Sequence, residues 1–132
     1  MIINESKENY LESVLIIKNR NGYVRSIDIS HELSFTKASV SVAMKALREQ
    51  GYITVDENGN IELTKKGLDI AKRVYERHQV IASALIALGV DEKTAYSDSC
   101  KIEHDISEES FAAIKENLKK HVHNQEQKGD VN

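Results

Sequence analysis

Cys100, Glu103 and His104 bring a thiol, a carboxylate and an imidazole close together in the chain. On a helix, positions i, i+3 and i+4 share a face, so these three side chains can converge on one ion. Thiolate, carboxylate and imidazole together suit a borderline divalent transition metal rather than Mg²⁺ or Ca²⁺. Asn9 and Glu12 stand in the same i, i+3 relation near the start, and His78 falls inside a long helical stretch. Cys and His on an apolar face are also ordinary core or surface residues, and the pattern by itself leaves both readings open.

A second group has the chemistry of a nucleic-acid reader. From Thr36 onward, Val40, Met44 and Leu47 form one apolar stripe at helical spacing. The stripe leaves Lys37, Ser39, Ser41, Val42 and Lys45 outward, with Thr36 as cap. Hydroxyls reach bases or phosphates, ammonium groups reach phosphates, and an outward Val42 suits contact with a thymine methyl. Arg25, Arg48, Lys65 and Lys66 are further cations available to phosphates. A solvated amphipathic helix in a small bundle is the competing reading.

Other chemistry is missing. His31-Glu32 is not followed by the second His of a zincin motif, and neither a Gly-rich phosphate loop nor a G-x-S-x-G elbow occurs. His121 and His123 read as a solvated pair in a polar tail, and no enzyme is expected. The lone Cys rules out an internal disulfide and points to a reducing, cytoplasmic setting. The stretch Val80 to Val90, broken by Ser83 and Gly89, is about half the roughly 20 residues of a membrane span. The formal charge of −3 is uneven: residues 25–77 hold nine Lys/Arg against eight Asp/Glu, whereas residues 78–132 hold six against ten. The second half is the poorer surface for phosphate and the better one for cations.

The elements that must position these groups follow from periodicity and caps. A first helix is expected from about Ser6, its N-cap, to Arg20. A second runs from a capping Ser26 to Leu33, with Ser34 and Phe35 as the turn, and the third from Thr36 to a C-terminal Gly51. Two helices joined by a short turn, the second rich in Ser, Thr and Lys, read as helix-turn-helix. Tyr52 to Val55 and Ile61 to Leu63 read as strands joined by a two-residue Asn58-Gly59 turn, which makes a wing. Thr64 then caps a long helix over Lys65 to Leu88, ended by Gly89. A single helical stretch is expected over Asp91 to Ile106, and a last helix from Ser107 to about His121. The domains expected are a winged helix over residues 1–72, a helical metal-binding and dimerisation domain over 73–121, and a disordered tail over 122–132. Val80, Ile81, Ala84, Leu85 and Leu88, with Phe111 and Ile114, are the candidates for the dimer surface, some of them serving instead as intrachain core.

This order of motifs resembles the diphtheria-toxin-repressor family of metal-dependent transcription factors, including its manganese-transport-regulator branch. The resemblance covers residues 6–120. It is carried by Glu8-Asn9-Tyr10-Leu11-Glu12, Ala38-Ser39-Val40-Ser41, Leu63-Thr64-Lys65-Lys66-Gly67, Tyr75-Glu76-Arg77-His78 and Cys100-Lys101-Ile102-Glu103-His104. It implies a mainly α fold, a homodimer, and operator DNA bound when a divalent metal is present, so that metal-uptake genes are repressed. It also implies that Glu12, His78, Glu103 and His104 occupy ligand positions. Cys100 stands where the iron branch has Cys and the manganese branch Glu, while Asn9 departs from the Met and Asp of the two branches. Ala82 and Tyr96 stand where the iron branch has further ligands, which favours one clustered site with Asn9 as a weak ligand or a supporting group. Mn²⁺ or Fe²⁺ is the implied ion, with Co²⁺ or Zn²⁺ able to bind in vitro. The alternatives are a winged-helix regulator with a degenerate metal site, or a metal-binding protein or metalloenzyme without DNA binding.

Overall fold

The computed structural model describes residues 5–130, with side chains described as far as residue 120. The described elements are α1 (Glu5–Asn21), α2 (Ser26–Leu33), α3 (Lys37–Glu49), β1 (Ile53–Val55), β2 (Ile61–Leu63), α4 (Lys65–Ala87), α5 (Glu92–Ile102) and α6 (Glu108–Asp130). They form two compact units, Met1–Val74 and Tyr75–Asn132, with α4 contributing its first part to one and its remainder to the other.

In the N-terminal unit the apolar stripes meet in a single core. Leu11, Val14 and Ile17 of α1, Ile29 of α2, Val40, Met44 and Leu47 of α3, and Ile53 and Ile61 of the strands are buried together. Each such side chain contributes about 1.5–3 kcal/mol when withdrawn from water. Tyr10 adds an edge-to-face contact with Phe35, ring centroids 5.9 Å apart.

Two caps differ from expectation. Ser6 lies within α1 rather than ahead of it. Ser26 is the first residue of α2 rather than its cap, because the Arg25 N–H donates to the Asp28 carboxylate at 2.9 Å and ties down the helix start from inside. The turn into α3 is closed by the Phe35 N–H on the Ser30 carbonyl at 3.2 Å and by the Ser30 hydroxyl on the Phe35 carbonyl at 2.6 Å. Thr36 does cap α3, its Oγ1 accepting the Ser39 N–H at 3.1 Å.

The wing pairs Ile53 with Leu63 and Val55 with Ile61, antiparallel. Its turn has three residues rather than two. The Asp56 N–H donates to the Asn60 carbonyl at 3.0 Å, and Asp56 Oδ1 accepts the Asn58 and Asn60 N–H groups at 2.8 and 2.9 Å. Gly59, with φ +82°, then closes the loop in the left-handed region, the usual end of a three-residue hairpin. The Ile61 N–H also donates to the Val24 carbonyl at 2.8 Å, which ties the segment before α2 to the wing.

In the C-terminal unit Ile81, Ala82, Ala95 and Phe111 are buried. Ile81 and Phe111, candidates for a dimer surface, are therefore intrachain core. Asp91 caps α5, accepting the Thr94 N–H at 3.0 Å and its hydroxyl at 2.6 Å. The stretch expected as one helix to Ile106 ends at Ile102 with Glu103 as its C-cap, because Ser107 starts a new helix by accepting the Ser110 N–H at 3.0 Å. The last helix runs on to Asp130, past the end expected at His121. Its residues after His121, Val-His-Asn-Gln-Glu-Gln-Lys-Gly-Asp, are mostly polar with no Pro and lack the apolar stripe that betrays a helix.

Candidate metal centre and nucleic-acid interface

The second half of α4 carries His78, α5 carries Cys100, and the turn after α5 carries Glu103 and His104. Cys100 Sγ lies 3.4 Å from His78 Nε2 and 3.8 Å from Nδ1. His78 Nδ1 is 4.0 Å from Glu103 Oε2, and His104 Nε2 is 3.3 Å from Glu103 Oε1. The four side chains predicted for this part of the chain are thus neighbours. They do not share one helical face, since His104 lies beyond the end of α5 and reaches the group through Glu103.

The Glu103 carboxylate is only 1% exposed and the His104 ring 5%. Taking a carboxylate out of water costs several kcal/mol unless positive charge or strong donors compensate. Imidazoles on either side of Glu103, or a cation held among them, are the compensation the geometry offers. Cys100 is exposed, so its thiol stands at the solvent edge of the group. His78 Nε2 lies 3.2 Å from the Tyr96 carbonyl, and its ring meets Tyr96 edge-on at 5.8 Å. A neutral imidazole donating to that carbonyl keeps its lone pair on Nδ1, the nitrogen facing Glu103. Backbone carbonyls orient ligand histidines in this way. Tyr96 therefore supports the group without being a ligand, a role with no signal in residue type or spacing. One sulfur, imidazole nitrogens and carboxylate oxygens fit a borderline divalent ion.

Arg77, next to His78, braces the same turn. It donates to the Ile106 carbonyl at 2.9 Å, pairs with Glu108 at 3.0 Å, and lies over the Phe111 ring at 5.1 Å. In the N-terminal unit Glu12 is buried on α1, and Asn9 is half-buried one turn earlier. The side chains of His121 and His123 lie outside the described residues.

The predicted reading face of α3 is open. Thr36, Lys37, Ser39, Ser41 and Lys45 are exposed, as is Arg25 before α2, and Val42 is 71% exposed. Val40, Met44 and Leu47 face the core. The Thr36 hydroxyl is engaged within the helix start, donating to Ser39 Oγ at 2.9 Å.

Comparison with known proteins decides what this arrangement belongs to. Residues 3–60 match the N-terminal DNA-binding domain of iron-dependent repressors, and residues 64–130 match the metal-binding and dimerisation domain of the same proteins. The chain belongs to the iron-dependent repressor family. An uncharacterized HTH-type transcriptional regulator of Methanocaldococcus jannaschii is 34% identical over 115 residues, covering 86% of this chain and 92% of that protein. The HTH-type transcriptional regulator MntR of Lysinibacillus sphaericus is 33% identical over 109 residues, covering 83% of this chain and 78% of its own length. Among solved structures, IdeR of T. acidophilum superposes with a TM-score of 0.76 at 25% identity over 89% of this chain. The manganese regulator SloR has the same fold, with a TM-score of 0.76 over 90% of this chain at 24% identity. The chain spans about half the length of those two solved proteins, 55% in each case.

This repressor-family chain accordingly has a DNA-binding domain followed by a metal-binding and dimerisation domain, in a mainly helical fold. The family is one of transcriptional regulators. No described helix is long and apolar enough to cross a membrane.

Proposed function

We propose that the protein is a cytoplasmic, metal-responsive repressor that binds operator DNA as a homodimer when a divalent transition metal is present, with no catalytic activity of its own. The observation that carries this reading is the group formed by His78, Cys100, Glu103 and His104 in a chain that also carries an intact winged helix. These four residues would hold the ion, with Glu12 of α1 as the ligand from the DNA-binding unit and Asn9 as a weak ligand or a hydrogen-bonding support. A bound ion supplies positive charge to buried carboxylates and a fixed set of directions for its ligands. Mn²⁺ and Fe²⁺ are the ions we propose for the cell. The Cys100 thiolate favours Fe²⁺, Co²⁺ or Zn²⁺ relative to an all-oxygen and nitrogen site.

This chain's residues do the rest. Tyr96 and Arg77 hold His78 and the Glu103-His104 turn in place. Thr36, Lys37, Ser39, Ser41, Val42 and Lys45, with Arg25, present the DNA-reading surface. Metal need only favour the DNA-competent arrangement over the others, and a coupling of about 1–3 kcal/mol changes operator affinity roughly 5- to 150-fold. The dimer surface we propose is the groove of about 390 Å³ lined by Ala84, Ala87, Leu88, Ala113, Ile114 and Leu118 with one polar residue, Asn117, where Leu88 is 82% exposed.

Operator titrations in chelator and in Mn²⁺, Fe²⁺, Co²⁺ or Zn²⁺ test the proposal. Affinity should rise with at least one metal in the wild type, and Glu103→Ala should abolish the rise. Equal affinity in chelator and in every metal would remove the switch.

A further inference from the structure

Beside the reading face, α3, β1 and the start of α2 enclose a pocket of about 260 Å³ lined by Ser26, Ser41, Met44, Lys45, Arg48 and Val55. Its chemistry is one-sided: a guanidinium, an ammonium and two hydroxyls beside the apolar Met44 and Val55, with no carboxylate in the lining. Among the described residues, neither Lys45 nor Arg48 pairs with an acid. The chain therefore leaves two cations converging on one concavity without a protein anion between them. Ser26 opens α2, so its backbone N–H has no acceptor within that helix and adds to the donors nearby.

Resting on the regulator reading, we infer that this pocket seats a single phosphate of the operator backbone, gripped jointly by Lys45 and Arg48 with Ser26 and Ser41 as hydroxyl donors. A phosphodiester offers the acceptor oxygens this lining lacks, and an arginine fork with a lysine point charge is a familiar way to hold one. The duplex is favoured over a free anion because Ser41 and Lys45 also belong to the outward face of α3. A strand running along the groove that this helix enters passes the pocket. The pocket would set the register of α3 without reading sequence. Ser26 thereby joins the DNA-binding set, Arg48 passes from one of several cations available to phosphates to a contact with a particular one, and Lys45 becomes half of a shared phosphate grip rather than an independent contact.

The test is the salt dependence of duplex binding by the full chain, with Lys45→Gln, Arg48→Gln and the double variant beside wild type, all in saturating metal. Both side chains are exposed, so the variants should fold, and their circular dichroism and metal affinity should match wild type. One phosphate contact accounts for about 0.9 in the slope of log K against log salt. With one such pocket in each subunit of the bound dimer, the double variant should lose about 1.8, each single variant less, and all should weaken operator and scrambled duplex by the same factor. A double variant losing about 3.6 would mean two separate phosphates in each subunit, and an unchanged slope would mean none; either overturns the shared pocket while leaving the regulator reading intact. Wild-type protein without salt-dependent DNA binding would overturn that reading and this inference together. A free-anion site is distinguished by NMR: the Arg48 Nε–H resonance should move on adding duplex but not on adding millimolar inorganic phosphate at constant ionic strength, and a shift with phosphate alone would overturn the assignment to DNA.

Discussion

Single atoms decide whether the wing can close. Gly67 sits one turn into α4, where the Thr64 hydroxyl accepts its N–H at 3.2 Å and donates back to the Gly51 and Tyr52 carbonyls at 2.7 and 3.0 Å. A methyl group at Gly67 would stand 2.0 Å from the Tyr52 carbonyl oxygen, a backbone atom that cannot step aside alone. Gly67→Ala should therefore cost about 1–3 kcal/mol in urea unfolding even though Ala is the better helix former. A stabilised variant would show that α4 can shift off the wing without penalty. At the wing tip, the Asn60 backbone N–H, then the Asn60 side chain and Asn58, hold the Asp56 carboxyl below its ordinary range. The sign follows from linkage: the unfolded chain takes up the proton first, so the turn's contribution is complete above the unfolded Asp value of about 3.9 and is lost as pH falls through the depressed folded value. The Asn58 and Asn60 amide shifts should titrate with a midpoint below about 3.9, and a midpoint at or above it would contradict the bonding described.

At the level of elements, α4 and the α5–α6 turn are joined by the Arg77 side chain, which is 11% exposed and spans the Ile106 carbonyl, Glu108 and the Phe111 ring. Arg77→Gln should destabilise the fold by about 1–3 kcal/mol, the usual loss for hydrogen bonds to a charged group. Arg77→Lys, which keeps the charge but not the fork, should recover only part of it. If Arg77 also positions the ligand turn, metal affinity should fall in both variants at temperatures where circular dichroism shows them fully folded. Unchanged affinity would make Arg77 a fold residue only. The sequence revealed the helix-turn-helix, the wing and the long fourth helix because each has a local signal: an apolar stripe, a cap, or glycine beside alternating residues. Features that depend on competition were not legible. Whether α5 continues to Ile106 or stops at Ile102 turns on Ser107 capping the next helix, and whether the wing turn has two or three residues turns on where Asp56 spends its acceptor oxygens. The same limit applies to the candidate centre. Residue types named Cys100, Glu103, His104 and His78, but only packing showed Tyr96 orienting His78 and His104 joining from beyond the helix end.

For the whole molecule, the proposal makes three equilibria share one free energy: metal binding, dimerisation and operator binding. Two reading helices about 34–36 Å apart can engage successive major grooves only if the subunits are held in register, so a weakened dimer must also blunt the metal response. Leu88 offers a way to separate these effects, because it is 82% exposed, lines the apolar groove and is not itself a candidate ligand. Leu88→Glu should leave metal affinity within about twofold of wild type, while a buried interface anchor replaced by a charge should weaken the dimer by about 2 kcal/mol or more. Sedimentation equilibrium with Mn²⁺ should then show monomer at concentrations where wild type is dimeric. Operator affinity should fall toward that of one half-site, and the remaining metal dependence should grow with protein concentration as mass action restores the dimer. A Leu88→Glu protein that remains dimeric would move the interface elsewhere. One that is monomeric yet keeps the full metal-dependent affinity would show that the metal acts within each chain, with dimerisation contributing only the second half-site.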